Sequence, residues 1–248
     1  MEYSHISSTV SIKTISEDAR RGVFEIEGLY AGYGLTIGNA FRRALLSSLP
    51  GAAITYAKIK GAPHEFTTVP GVKEDVVEIT LNLKKLRFRV HTNEPQTLLV
   101  KGKGDGTVTG ADIKTNAEVE IVNPEEVIAT LSGKSAEFEA ELTVERGLGY
   151  SAVESRKAEK LAVGQIGIDA FFSPVTKVNY TVDNMRVGDR TDYNRLRLEI
   201  ETDGTVSPSS AVHKTANILK DHFEKILTVE VVEAAEEPVK KSKPKSKK

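Results

Sequence analysis

Apolar and polar residues alternate along this chain with two periods, and the helical period is strongest in two places. Between about Thr36 and Ser48, Ile37, Phe41, Ala44 and Leu45 recur at helical spacing, with Ser48 and Leu49 on the same side. Thr36 is an acceptable N-cap and Pro50-Gly51 a strong stop. Asn39, Arg42, Arg43 and Leu46 collect on the opposite side. Two arginines bracketing a leucine resemble a protein–protein anchor. A solvated pair of arginines beside a stray exposed leucine satisfies the same pattern. The second long helix starts at the cap Ser207 with Pro208 in the first helical position. Its apolar residues Val212, Ala216, Leu219, Phe223 and Ile226 are spaced 4, 3, 4 and 3 apart. That narrow seam suits another helix, and a helix packed inside the same chain satisfies it equally.

A shorter helix is predicted from Gly71 to Leu83, on Val72, Val76, Ile79 and Leu83, with Glu74 and Asp75 near its start and Lys84-Lys85 at its end. The rest reads as strands with period two. Val10–Ile15 and Val23–Glu27 flank a charged turn and form a hairpin. Further strands are predicted at Ala53–Ile59, Leu86–Val90, Gln96–Lys101, Glu118–Val122, Glu137–Val144, Gly164–Phe172, Val175–Val187 and Leu196–Ile200. Asp105-Gly106 and Asp203-Gly204 are hairpin signals. The fold class is therefore α+β.

Composition narrows the function. The chain has 248 residues, 39% hydrophobic and 28% charged, which is enough for one large domain or two small ones. No stretch approaches the roughly 20 apolar residues that span a bilayer. The N-terminus does not read as a secretory signal. There is no cysteine, which excludes disulfides and thiolate metal sites. A net charge of −1 gives the body no basic excess for nucleic acid. From Glu233 onward an acidic stretch passes into the lysine-rich run 239–248, which is expected to be disordered.

The five histidines have no zinc-ligand spacing. Gly102–Thr107 lacks the phosphate-loop pattern and reads as a hairpin turn. Ser47 and Ser48 have no activating partner nearby. Catalytic, metal and cofactor residues are expected to be none, and the residues point to an assembly module. The alternative is a free-standing β-rich binding protein that puts its basic tail on nucleic acid.

Longer strings carry a resemblance. GLTIGNAFRRALLSSLPGAAI at 34–54 and HEFTTVPGVKEDVVEITLNLKKL at 64–86 resemble the N-terminal region of the bacterial-type RNA polymerase alpha subunit family. So do VTGADI, ERGLGY, FFSPVTKVNY and DRTDYNRLRLEIETDGTVSP further on. The resemblance implies a discontinuous dimerisation subdomain, residues 1–51 and 175–230, with two long helices on an antiparallel sheet. It also implies an inserted β-rich subdomain at 52–174, and a tail in place of the family's usual C-terminal DNA-binding domain.

By the same resemblance, the chain is a non-catalytic subunit of a nucleotidyltransferase complex. It homodimerises through Ile37, Phe41, Ala44, Leu45, Val212, Ala216, Leu219, Phe223 and Ile226. It recruits the beta and beta-prime subunits through Arg42, Arg43, Leu46, Lys84 and Arg190. Magnesium is expected only in the catalytic partner. DNA is expected only through the complex or weakly through the tail, with no membrane and no small-molecule substrate. The implied location is the cytoplasm, nucleoid-associated with the polymerase.

Overall fold

The computed structural model describes residues 8–156 and 164–229. The lysine-rich tail lies outside them. Two antiparallel sheets carry the chain. β1 (Ser11–Glu17) and β2 (Arg21–Leu29) form the expected hairpin, its turn held by the Asp18 carboxylate, which accepts from the amides of Arg20 and Arg21. Near the other end of the chain, β14 (Val175–Val187) pairs with β15 (Arg190–Thr202), and β15 lies beside β2. The order is β1-β2-β15-β14.

Both long helices cover one face of this sheet. Phe24, Leu198 and Ile200 point toward α1 (Tyr33–Ser47) and α3 (Pro208–Ile226) and pack with Leu45, Leu49, Val178 and Ala211. The open face carries ion pairs: Arg197 with Glu25 and Glu199, Lys13 with Glu27, and Arg195 with Asp183. One face is covered and one is wet, which is why these strands alternate so clearly.

The second body holds residues between these strands. β3 (Pro50–Ile59) enters it and is followed by α2 (Val76–Leu83), β4 (Phe88–Val90), β5 (Gln96–Lys103) and β6 (Gly106–Thr109). Then come β7 (Ile113–Lys114), β8 (Val119–Ile121), β9 (Val127–Leu131), β10 (Glu137–Leu148), β11 (Tyr150–Ser151), β12 (Ile166–Gly167) and β13 (Ala170–Phe171). The main sheet runs β12-β3-β10-β5-β7, with three two-stranded pairs around it. Its core is separate and includes Ile79, Leu83, Leu98, Val100, Phe138 and Leu142.

Five local expectations change. α1 begins at Tyr33, three residues before Thr36, because Asn194 on β15 accepts from the amides of Gly32 and Gly34. α2 begins at Val76, because Asp75 caps it by accepting from the Glu78 amide at 2.7 Å, while Lys73 is tied to β9 through the Thr130 carbonyl. The glycine run after β5 is not a hairpin: β6 pairs with β9, so the turn carries the chain from one sheet to another. Asp203-Gly204 likewise closes no hairpin but joins β15 to α3. The single strand expected over Gly164–Phe172 is two short ones, β12 and β13.

Candidate interaction surface

α1 starts where a distant side chain lets it. Its Gly32 cap has φ +87° and no side chain of its own to offer. Asn194 on β15 supplies the missing acceptor: its Oδ1 accepts from the Gly32 amide at 2.9 Å and the Gly34 amide at 3.3 Å. Asn194 is 7% exposed and its amide nitrogen donates to Asn184. Gly34 and Gly38 are needed for close approach, since a β-carbon there would stand 2.6 Å from Val182 and 2.7 Å from Tyr180. The first two turns of α1 thus lie tight on the sheet.

That placement turns Arg42 and Arg43 outward. Both are exposed, and among the described residues neither makes an ion pair or a side-chain hydrogen bond. Arg42 stands at the mouth of a cleft of about 430 Å³ shared with Asn179, Thr181, Arg197 and Glu199. Leu46 does not stand out beside them. It is half-buried against the protomer's own helix-side core, because the apolar arc of α1 is wider than the helical wheel suggests.

The predicted pairing seam divides in the same way. Leu45 is wholly buried, Ala44 is 7% exposed and Val212 9%, so these three belong to the protomer's own core. Ile37, Phe41, Ala216 and Leu219 are half-buried. Phe223 and Ile226 are 62% and 61% exposed, and Leu227 and Val229 beyond them more so. From Asp221 to Val229 every residue is exposed. The last two turns of α3 project past the sheet with a bare apolar edge.

Lys84 and Arg190 are already engaged within the chain. Lys84, at the end of α2, donates to Asp169 at 3.0 Å. Asp169 also accepts from the Val153 amide at 3.0 Å; that bond, then the lysine, hold its carboxyl below the usual carboxylate range. Beside them a cavity of about 110 Å³ is rimmed by Tyr150 and Phe171, both exposed. Arg190 makes a two-pronged pair with Asp192, at 3.0 and 2.6 Å, and lies over the rings of Tyr30 and Tyr193 at 4.7 and 5.3 Å. The Asp192 carboxylate holds this guanidinium more firmly protonated than usual, and Asp192 itself lies below its ordinary range.

Sequence reasoning missed Asn194, the aromatic cradle of Arg190 and the exposed Tyr150 and Phe171. The last two lie in the strings ERGLGY and FFSPVTKVNY, where aromatics beside glycine and proline were the available signal. Among the described residues no cluster of His, Asp or Glu is placed to hold a metal ion. No helix among them is long and apolar enough to cross a membrane.

Comparison with known proteins supplies the rest. The family profile of the RNA polymerase Rpb3/RpoA insert domain matches residues 57–173, most of the second body. A DNA-directed RNA polymerase subunit alpha from Moorella thermoacetica is 50% identical over 206 residues, covering 83% of this chain and 66% of that protein. The corresponding subunit from Symbiobacterium thermophilum is 48% identical over 90% of this chain and 70% of its own length. That from Alkaliphilus metalliredigens is 45% identical over 96% and 76%. The chain thus spans about two thirds to three quarters of the length of these relatives. With identity this high along both bodies, the chain belongs to the family of bacterial DNA-directed RNA polymerase alpha subunits.

Proposed function

We propose that this chain is the assembly subunit of a DNA-directed RNA polymerase, pairing with a second copy and presenting a surface that gathers the beta and beta-prime subunits. Residues 1–51 and 175–230 act as the pairing unit, and 52–174 as an inserted unit. The observation that carries the pairing is the bare end of α3. Phe223, Ile226, Leu227 and Val229 are all more than half exposed on one protomer. Each such side chain, fully buried, contributes about 1.5–3 kcal/mol. Four per protomer, doubled by a two-fold axis, give about 12–24 kcal/mol, which offsets most or all of an association cost of roughly 4–15 kcal/mol. The partly buried Ile37, Phe41, Ala216 and Leu219 extend the same seam.

Arg42 and Arg43 support the recruiting face, because free guanidinia on a rigid helix are preorganised for carboxylates of a partner. Lys84 and Arg190, ion-paired with Asp169 and Asp192, are two further contact points, where a partner meets an already paired charge and gains less than at Arg42 and Arg43. In this scheme the chain supplies no catalytic group, and magnesium belongs to the catalytic partner. The site of action is the cytoplasm.

Two substitutions test the scheme separately. Phe223→Asp with Ile226→Asp gives a monomer by light scattering; an unchanged dimer mass moves the seam elsewhere. Arg43→Ala leaves the dimer mass intact and abolishes co-purification with the beta subunit. Wild-type recovery of that subunit removes Arg43 from the recruiting face.

A further inference from the structure

The two bodies of the chain are connected by two crossings that lie side by side. One runs from Leu49 into Pro50-Gly51 at the start of β3, the other from Phe172 through Ser173-Pro174 into β14. A β-carbon on Gly51 would stand 1.8 Å from the Phe172 carbonyl oxygen, so the crossings touch. Covalent links this close form a single pivot. Two bodies joined at a pivot swing unless a further contact stops them, and motion is the ordinary expectation for a small interface.

A contact between the second body and the turn after β15 supplies that stop. The turn after β15, residues 203–206, leads directly to Ser207, which caps α3 by accepting from the Ser210 amide. β4 of the second body reaches into this turn through Arg89. Its Nε donates to the Thr205 carbonyl at 3.1 Å and its Nη2 to the Gly204 carbonyl at 3.4 Å. Its Nη1 is held by Glu120 at 2.6 Å. Next to it, Arg87 Nε lies 3.6 Å from the Asp203 carboxylate, whose side chain is only 9% exposed. Asp203 in turn accepts from the amide and hydroxyl of Thr205, at 2.9 and 2.6 Å. Val122 of the second body closes the contact: a β-carbon on Gly204 would meet it at 3.4 Å.

We propose that Arg87 and Arg89 are positioning residues that lock the second body to the turn launching α3, and so set the direction of the exposed helix end relative to that body. A planar guanidinium spanning two successive carbonyls fixes an angle as well as a distance, which a lysine cannot do. The Arg87 pair is mostly withdrawn from water, so it is screened little and its loss leaves a nearly buried carboxylate unpaired. Rotation about the pivot has to break both. The lock belongs to one protomer and holds whether or not copies pair.

The chain has no cysteine, so Lys114→Cys on β7 and Lys214→Cys on α3, both exposed and without ion pairs among the described residues, take spin labels cleanly. The labelled 248-residue chain, diluted into an excess of unlabelled chain, is measured by pulsed electron resonance, which reads the distance within one protomer. The parent shows one narrow distance. Arg89→Met and Arg87→Met broaden it, with unchanged circular dichroism, and Arg87→Lys, which keeps a cation opposite Asp203, restores the narrow distribution. If either methionine variant does not fold, Arg89→Lys and Asp203→Asn take its place, and broadening is again expected. A narrow, unshifted distance in the folded variants overturns the proposal, as does an Arg87→Lys variant as broad as Arg87→Met.

Discussion

The charged residues of this chain fall into two populations, and the difference decides what each can do. Arg190 is stacked on two tyrosines and paired with Asp192, and Lys84 is paired with Asp169; Arg42 and Arg43 have no such commitment. A cation already bonded at home offers a partner little new energy, whereas a free one brings all its donors. Asp169 shows what the internal pairing is worth. Its carboxyl is depressed, so the stability it contributes is present above the ordinary carboxylate range and is lost as pH falls through its lowered value. Asp169→Asn is expected to cost about 1 kcal/mol at neutral pH, a modest figure because both partners are about a third exposed. Urea unfolding at stepped pH checks the sign: the gap between variant and parent closes in acid. The arginine pair could be picked out from the helical wheel, but the half-burial of Leu46 beside it could not. A wheel ranks residues by angle, while burial depends on how far the neighbouring sheet reaches.

Among the elements, α1 shows most clearly that helix ends are settled over long distances. Its N-terminal amides are satisfied by Asn194, which lies about 160 positions further on in sequence and next to them in space. No local rule finds such a cap, and the local signal at Thr36 placed the start one turn late. Asn194→Ala removes the acceptor and is expected to cost about 1 kcal/mol, as cap losses do. Asn194→Asp keeps the acceptor and adds a charge that the helix dipole favours, but it buries that charge and loses the donor to Asn184, so it recovers only part of the stability. Thermal midpoints rank the variants, and hydrogen exchange of the first-turn amides of α1 shows where the loss lies. By contrast α3 was legible at its start, because Ser207 and Pro208 are both local signals.

For the whole molecule, the exposed end of α3 predicts that stability depends on concentration. If copies pair through it, the parent's thermal midpoint rises with protein concentration by mass action, and that of Phe223→Asp with Ile226→Asp stays flat. Scanning calorimetry over a dilution series separates the two. A flat parent would speak against pairing even if crystals or columns showed dimers. The architecture was partly legible at this scale. The class α+β followed from the two periods, and the chain's long matching strings pointed to the family. Which strands meet did not follow: Leu198 lies opposite Phe24, and nothing in either strand names the other. Period two says that a strand has an apolar side without saying whose side it covers.

By itself the sequence determined the kinds of element, their apolar faces and the family to which they belong, because these depend on spacing and local chemistry. Only the tertiary structure decided which part of each apolar face stays bare. α3 has 19 residues, about 28 Å of helix, and the sheet beneath it covers only the first part. Val212 is therefore core and Phe223 is surface, although they occupy the same stripe. Spacing assigned them one role; the reach of the sheet gave them two.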